Sequence, residues 1–404
     1  MKLLLVLNQL LYPADTGGKI RSSSMFERVA REHEVAIVAL ARPTDTDEQI
    51  NQMARVCRRL DLVPWVEVTK RSPRFWLDLV RNQVQPYPYM VARYHHQPLS
   101  QRVAELVEEL RPDVVVCDFL QPSLNVVDLP FRPKVLFQHN VEAQIGQRHY
   151  ERASNPLAKL FWGAQWRKLR AYEGSAMKRF DQVVTVSEAD SAMMASEYGV
   201  SHTTAVPLGV DTDAFAPSTE PPLPGRLVFT GSMDWLPNED GTAWFVGEVL
   251  PLIRARRPDV TLSIVGRNPT PKVQALAGEG VVVTGSVPDV KPYVREAEVV
   301  VVPLRIGGGT RIKIFEAMAM GCGIVSTTLG AEGLPVEHEG DLLLADDAET
   351  FAAAVLRLLD DSSLRARLGA AGRAKMVADY SWDKAARVFI EACEKALRSS
   401  RGEG

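Results

Sequence analysis

Short apolar runs alternate with amphipathic stretches along most of this chain. In the first half they fall at 3–7, 35–39, 114–117, 135–138 and 182–186. In the second half they fall at 227–230, 261–265, 281–283, 299–302 and 323–326. A run such as Val299-Val300-Val301-Val302 has no polar face. A strand made of it must be covered on both sides, which is the condition of a parallel sheet with helices on both faces. The alternation therefore predicts βαβ units and an α/β fold. Between the two sets lies 216–225, dominated by proline and polar residues, which reads as a linker. At 404 residues the chain holds two domains of ordinary size. The expectation is two doubly wound domains, 1–213 and 214–383, with a ligand held in the cleft between them at strand carboxyl ends.

Bulk properties exclude several classes. The net charge of −3 gives no reason to expect nucleic acid as a partner. The four cysteines are Cys57, Cys117, Cys322 and Cys393, scattered without paired spacing, so no metal site or disulfide framework is expected. A reducing, cytoplasmic setting follows. The apolar start, Met1 to Leu7, is too short for a signal peptide and reads as a first buried strand. No apolar run approaches the ~20 residues needed to span a bilayer.

One segment carries most of the chemistry. After the apolar run 299–302 come Arg305, Gly307, Gly308, Gly309, Thr310, Arg311, Lys313 and Glu316. Three glycines let the backbone approach a ligand closely. Thr310 reads as an N-cap, Ile312, Phe315 and Ala319 follow at helical spacing, and Gly321 reads as a C′ glycine. Arg311 and Lys313 sit in the first turn, where the helix dipole repels cations. An anion joining them resolves that conflict. Glu316, one turn on, would repel a phosphate but can accept two hydrogen bonds from a ribose diol. Together these residues read as a seat for a nucleotide diphosphate.

Further motifs stand in order along the chain. They are Thr16-Gly17-Gly18, His139-Asn140, Val186-Ser187-Glu188, Leu208-Gly209-Val210-Asp211, Val265-Gly266, the segment from Val282 to Val287, and the segment from Phe315 to Gly321 followed by Ile324-Val325-Ser326. In that order they resemble the family 4 glycosyltransferases, and the resemblance covers nearly the whole chain. It implies the GT-B fold, two Rossmann-like domains facing across a cleft, with a C-terminal helix crossing back to complete the first domain at about 384–404. It implies transfer of a hexose-type sugar from a nucleotide diphosphate sugar, with retention and without metal or other cofactor. The acceptor expected is a glycan or lipid-linked molecule in cell-surface polysaccharide or glycolipid synthesis. Two departures stand out. The family places a glutamate eight residues before the one matching Glu316, where this chain has Gly308. Members also place an arginine and a lysine in the loop after the second domain's first strand, where 230–238 has no cation. Arg311 and Lys313 are expected to take over the diphosphate.

The candidate residues follow. Arg311 and Lys313 would stabilise the departing nucleotide as phosphate charge grows. Gly307, Gly308, Gly309 and Thr310 would cradle the anion, and Glu316 would hold the ribose. Gly17 and Gly18 follow the first strand in a loop the family uses near the diphosphate; Lys19 and Arg21 come next, as acceptor-side candidates. His139 ends the run 135–138 and could bond a donor-sugar hydroxyl or the acceptor. Asp118 has a similar place, as an acceptor-side residue or a simple turn. Ser286 and Val287 would lie near the base through backbone groups.

From Arg148 to Arg179 basic residues interleave with Tyr150, Phe161, Trp162, Trp166 and Tyr172, and Arg74, Phe75 and Trp76 could add to the same surface. This suits the headgroup region of anionic lipids or a pyrophosphate-linked acceptor, with the protein peripheral on the inner face of the cell membrane, and equally an ordinary core-packed helix with a solvated face. Two other functions share the architecture: a nucleotide-sugar 2-epimerase, and a non-catalytic nucleotide-binding subunit.

Overall fold

The computed structural model describes residues 1–69, 72–153, 155–306 and 312–402, apart from the side chain of Arg152. The expected glycine cradle Gly307, Gly308, Gly309 and Thr310, together with Arg311, lies outside the described residues.

The chain forms two compact units, Met1–Gly209 with Trp382–Gly404, and Val210–Ser381. The proline-rich segment 216–225 belongs to the second unit, where Leu223 N–H donates to the Glu296 carbonyl at 2.9 Å.

The first unit is built on strands β1 (Lys2–Leu7), β2 (Glu34–Ala41), β3 (Arg59–Pro64), β4 (Val114–Asp118), β5 (Lys134–Phe137), β6 (Gln182–Thr185) and β7 (Thr203–Ala205). All pairs are parallel, in the order β3-β2-β1-β4-β5-β6-β7. Strands β1 and β4 are adjacent, yet the chain leaves them toward opposite edges. That is the switch point, where the loops part and a ligand fits.

The final helix, Trp382–Arg401, belongs to this first unit. Its buried residues Ala385, Phe389, Ala392, Cys393 and Ala396 recur at helical spacing along one face. Phe389 packs edge-on to Phe26 of helix Gly17–Glu32, with centroids 5.8 Å apart, and lies 5.7 Å from Phe137 of β5. Val388 and Leu397 flank this face and are half-buried, while Cys393 and Ala396 lie inside.

The second unit pairs β8 (Arg226–Thr230), β9 (Thr261–Val265), β10 (Val281–Val283), β11 (Val299–Val302), β12 (Gly323–Ser326) and β13 (Leu343–Leu344). The order is β10-β9-β8-β11-β12-β13, again parallel, with its switch point between β8 and β11. After β11 comes the helix Ile312–Ala319. It ends in a Schellman motif: Gly321 at φ 70° follows the last turn, Cys322 N–H reaches the Ala317 carbonyl, and Gly321 N–H reaches Met318.

Candidate functional site

The first unit gathers its chemistry at the carboxyl ends of β1, β4 and β5. Asp118 is the last residue of β4 and is almost wholly buried. Its Oδ1 lies 2.7 Å from His139 Nε2, and its Oδ2 accepts from Ser22 Oγ at 2.8 Å. The Phe119 ring stacks on the imidazole at 3.7 Å and 10°, and Phe137 lies 4.2 Å away on centroids. With Nε2 donating to Asp118, the other nitrogen is an acceptor. That atom, Nδ1, is buried and has no hydrogen-bond partner among the described residues. An unpaired buried acceptor is costly, and a ligand hydroxyl would satisfy it. Burial holds the His139 pKa below 6.5 against the opposing pull of Asp118, so the ring is neutral near pH 7.

Gly18 belongs to the same cluster. A Cβ added there would lie 2.5 Å from Phe119 Cζ, so only glycine leaves Phe119 over the imidazole. Phe119 itself holds φ 70°, an uncommon conformation for a bulky residue that the sequence does not announce. Gly17 faces open space at the start of the helix. Arg21, one turn further on, is only 7% exposed, and its Nε has no hydrogen-bond partner among the described residues. Burial pulls its pKa down to about 10, against the attraction of Asp190 and Asp118. Lys19 is drawn away by an ion pair with Asp15 at 3.3 Å. The structure therefore unites Gly18, Asp118 and His139, adds Ser22 and Phe119, and brings Arg21 within electrostatic reach. Ser22 was findable in principle, four residues after Gly18 on a helix.

The second unit places Lys313 and Glu316 on the helix after β11. Lys313 Nζ donates to Asn238 Oδ1 at 2.9 Å and lies 4.1 Å over the Phe229 ring of β8. A Cβ at Gly231, just beyond β8, would come within 2.9 Å of that amine. The lysine thus projects to the end of β8, beside the loop that has no cation of its own. Gly266, after β9, closes the same corner, since a Cβ there would meet the Gly231 carbonyl at 1.6 Å. Glu316 is half-buried, and no described residue donates a hydrogen bond to its carboxyl. Desolvation raises its pKa to about 7, against the lowering effect of Lys313 and Lys291. Ser286 and Val287 lie in the loop after β10, two strands from β8, with Ser286 exposed. No described hydrogen bond joins them to Lys313 or Glu316.

Two family descriptions match the chain. "Glycosyltransferase Family 4" matches residues 26–214, and "Glycosyl transferases group 1" matches residues 224–361. The chain belongs to the family 4 glycosyltransferases. It is 30% identical to an MMP alpha-(1->4)-mannosyltransferase of Mycolicibacterium hassiacum over 54% of this chain and 55% of that protein. It is 32% identical to a phosphatidyl-myo-inositol mannosyltransferase of Mycolicibacterium smegmatis over 44% of this chain and 48% of that protein. The matches thus span about half the length of these relatives. Among solved structures, Anabaena Alr3699/HepE in complex with UDP superposes with a TM-score of 0.67 at 13% identity, covering 98% of this chain and 100% of that one. That likeness, with the two parallel sheets, establishes the GT-B fold.

The basic and aromatic stretch resolves into two helices, Glu142–Arg152 and Pro156–Met177. Several of its cations are engaged within the unit. Arg170 pairs with Glu197 and Arg179 with Asp128, and Lys168 Nζ donates to the Asn82 and Gln83 carbonyls. The aromatic half of the stretch is the more distinctive. Phe161 and Trp162 join Phe75 and Trp76 around a cavity of about 950 Å³. Among the described residues, no helix is long and apolar enough to cross a membrane.

Proposed function

We propose that this protein transfers a hexose-type sugar from a nucleoside diphosphate sugar to a glycan or lipid-linked acceptor. The carrying observation is the pair Lys313 and Glu316, one turn apart beside the β8–β11 switch point. Glu316 is a carboxyl with no described hydrogen bond, suited to a ribose diol. Lys313 is a cation aimed past the end of β8, suited to the diphosphate. Arg311 would share the diphosphate charge, and in that case the reaction requires no metal. In the first unit, His139 Nδ1 accepts from a hydroxyl of the transferred sugar or of the acceptor.

Retention is the expected stereochemistry. The bond from the anomeric carbon to the diphosphate oxygen breaks. The acceptor oxygen bonds to the same face, and its proton passes to the departing phosphate oxygen. Asp118, the carboxylate nearest His139, is held by His139 and Ser22, which suits an orienting role better than a nucleophilic one. The named relatives are mannosyltransferases, and a similar protein of Corynebacterium glutamicum is named as GDP-mannose-dependent, which makes GDP-mannose the first donor to test, with UDP-sugars beside it.

The test is release of nucleotide from a panel of donors, with and without bacterial lipid extract. Release that needs one donor and rises with extract supports the transferase. Conversion of the donor to its 2-epimer without acceptor would replace this reading with the epimerase. Nucleotide binding with no turnover under any condition would replace it with the non-catalytic subunit.

A further inference from the structure

A second buried carboxyl stands behind His139, with no hydrogen bond to it. Glu173 lies on helix Pro156–Met177 and is 0% exposed. Its Oε1 accepts from Gln138 Nε2 at 2.6 Å and from the Glu142 N–H at 2.7 Å. Its Oε2 accepts from the Ala143 N–H at 3.1 Å and from Tyr198 Oη at 3.0 Å. The Tyr198 ring reaches it across Gly174, where a Cβ would come within 2.6 Å of the ring. Burial raises the Glu173 pKa, and the four donors pull against that. Two of them are backbone N–H groups, which can only donate, so the arrangement suits the ionised form. Glu142 beside it is pushed up to about 7, by burial first and then by the Glu173 charge.

Local sequence explains part of this. Helix Glu142–Arg152 has Val141 at its N-cap, which offers no side-chain acceptor. The first N–H groups of a helix need partners and favour negative charge. Glu173 supplies both from 31 and 30 residues away. A cap would need nothing more, yet Glu173 also takes the amide of Gln138, on the other side of His139. Gln138 makes that bond although its own Oε1 is buried with no partner among the described residues. An orphan acceptor is costly, so burial alone gives no reason for an amide at 138. The turn from Gln138 to Ala143 is thus held at both ends by one carboxylate, with His139 between. Asp118 sets the tautomer and tilt of the imidazole, and Glu173 sets the backbone that carries it.

We infer that Glu173 is a positioning residue for sugar transfer: it holds this turn so that His139 Nδ1 stands where the reacting sugar or acceptor presents a hydroxyl. The inference rests on the transferase reading and adds a residue that acts through His139. A buried staple of this kind leaves the donor's nucleotide untouched, so its loss shows in turnover and not in donor affinity.

The test is kcat and donor Kd for Glu173→Gln and Gln138→Met, each alone and combined with His139→Ala, in the full chain below its unfolding temperature. Glu173→Gln sets an amide N–H₂ against backbone donors that cannot turn away. It should lower kcat by about 10- to 100-fold, the scale of a small misplacement of a reacting group, with donor Kd within about twofold. Gln138→Met removes one bond and the orphan acceptor together, so the fold should hold while kcat falls about 3- to 10-fold. If Glu173→Gln does not fold, Gln138→Met decides alone. In the His139→Ala background neither change should lower turnover further, because no imidazole is left to position. Nitrogen NMR of His139 in the two single variants should still show the proton on Nε2, which separates lost position from lost tautomer. Unchanged kcat in the folded variants overturns the proposal. So do losses that multiply with that of His139→Ala, or a donor Kd that rises as far as kcat falls. If the unaltered protein turns over a donor and the variants match it, only the positioning role fails. If the unaltered protein turns over no donor, the transferase reading fails and this inference with it.

Discussion

Glu316 gives the sharpest test, because its charge state should change on binding. Its pKa of about 7 means that roughly half the molecules carry a neutral carboxyl at pH 7. A ribose diol that donates two hydrogen bonds needs the ionised form. Binding should therefore release about half a proton at pH 7 and about a tenth at pH 8. By the same linkage the donor Kd should rise about tenfold from pH 8 to pH 6. The ligand should be an intact nucleotide sugar, whose pyrophosphate diester has no proton to lose near neutrality. Calorimetry in buffers of different ionisation enthalpy reads the released proton directly. Glu316→Gln should abolish the release and weaken binding at pH 8 by roughly 10- to 100-fold, as expected for losing a charged acceptor. Glu142, also raised to about 7, stays in both proteins, so the difference belongs to Glu316. A donor affinity independent of pH would refute the ribose assignment, as would equal proton release from the Gln variant.

Other expectations concern single groups. Lys313→Ala should lower turnover by about 10²–10³-fold while changing donor affinity less, and equal losses in both would mean simple binding. Asp118→Asn can turn an amide N–H toward His139 Nε2 and move the ring proton to Nδ1. Turnover should fall about 100-fold with nucleotide affinity unchanged, and nitrogen NMR of the imidazole should report the altered tautomer. Turnover should also fall as pH drops below the ordinary histidine value of 6.5, through the lowered His139 pKa, because a protonated Nδ1 cannot accept. An acid limb that persists in His139→Gln would assign it elsewhere. Phe389→Ala should cost about 3–5 kcal/mol in thermal or denaturant unfolding, since it opens a cavity against Phe26 and Phe137. A loss below ~1 kcal/mol would show that the final helix contributes little to the first unit.

Much of this fold was legible because its central strands are apolar throughout. The runs at 261–265, 281–283, 299–302 and 323–326 coincide with β9, β10, β11 and β12. The strands not anticipated are β3, β7 and β13. The sequence Arg59-Leu60-Asp61-Leu62 of β3 is half-buried at a sheet edge, where ion pairs with Arg102 and Glu109 replace apolar cover. β7 and β13 are edge strands of three and two residues, too short to show a period. At the site, residue type exposed Lys313, Glu316 and His139. What stayed hidden depends on backbone placement: the Phe119 ring over the imidazole at positive φ, and the reach of Lys313 to Asn238 and Gly231. The cavity beside Phe161 was hidden for a related reason, since its wall is assembled from helices far apart in sequence.

The split of the first unit around the second has a consequence for synthesis. Residues 210–381 are contiguous and can close their sheet as soon as they leave the ribosome. The strands made first cannot finish, because Phe26 and Phe137 wait for Phe389. At ordinary elongation rates, the interval between the end of 1–209 and the start of 382–404 is roughly 10 to 35 s. During that time one sheet face is open to solvent, with its last helix not yet made. A nascent chain stalled anywhere in that window would be a substrate for chaperones, and the half translated first would be the last to mature.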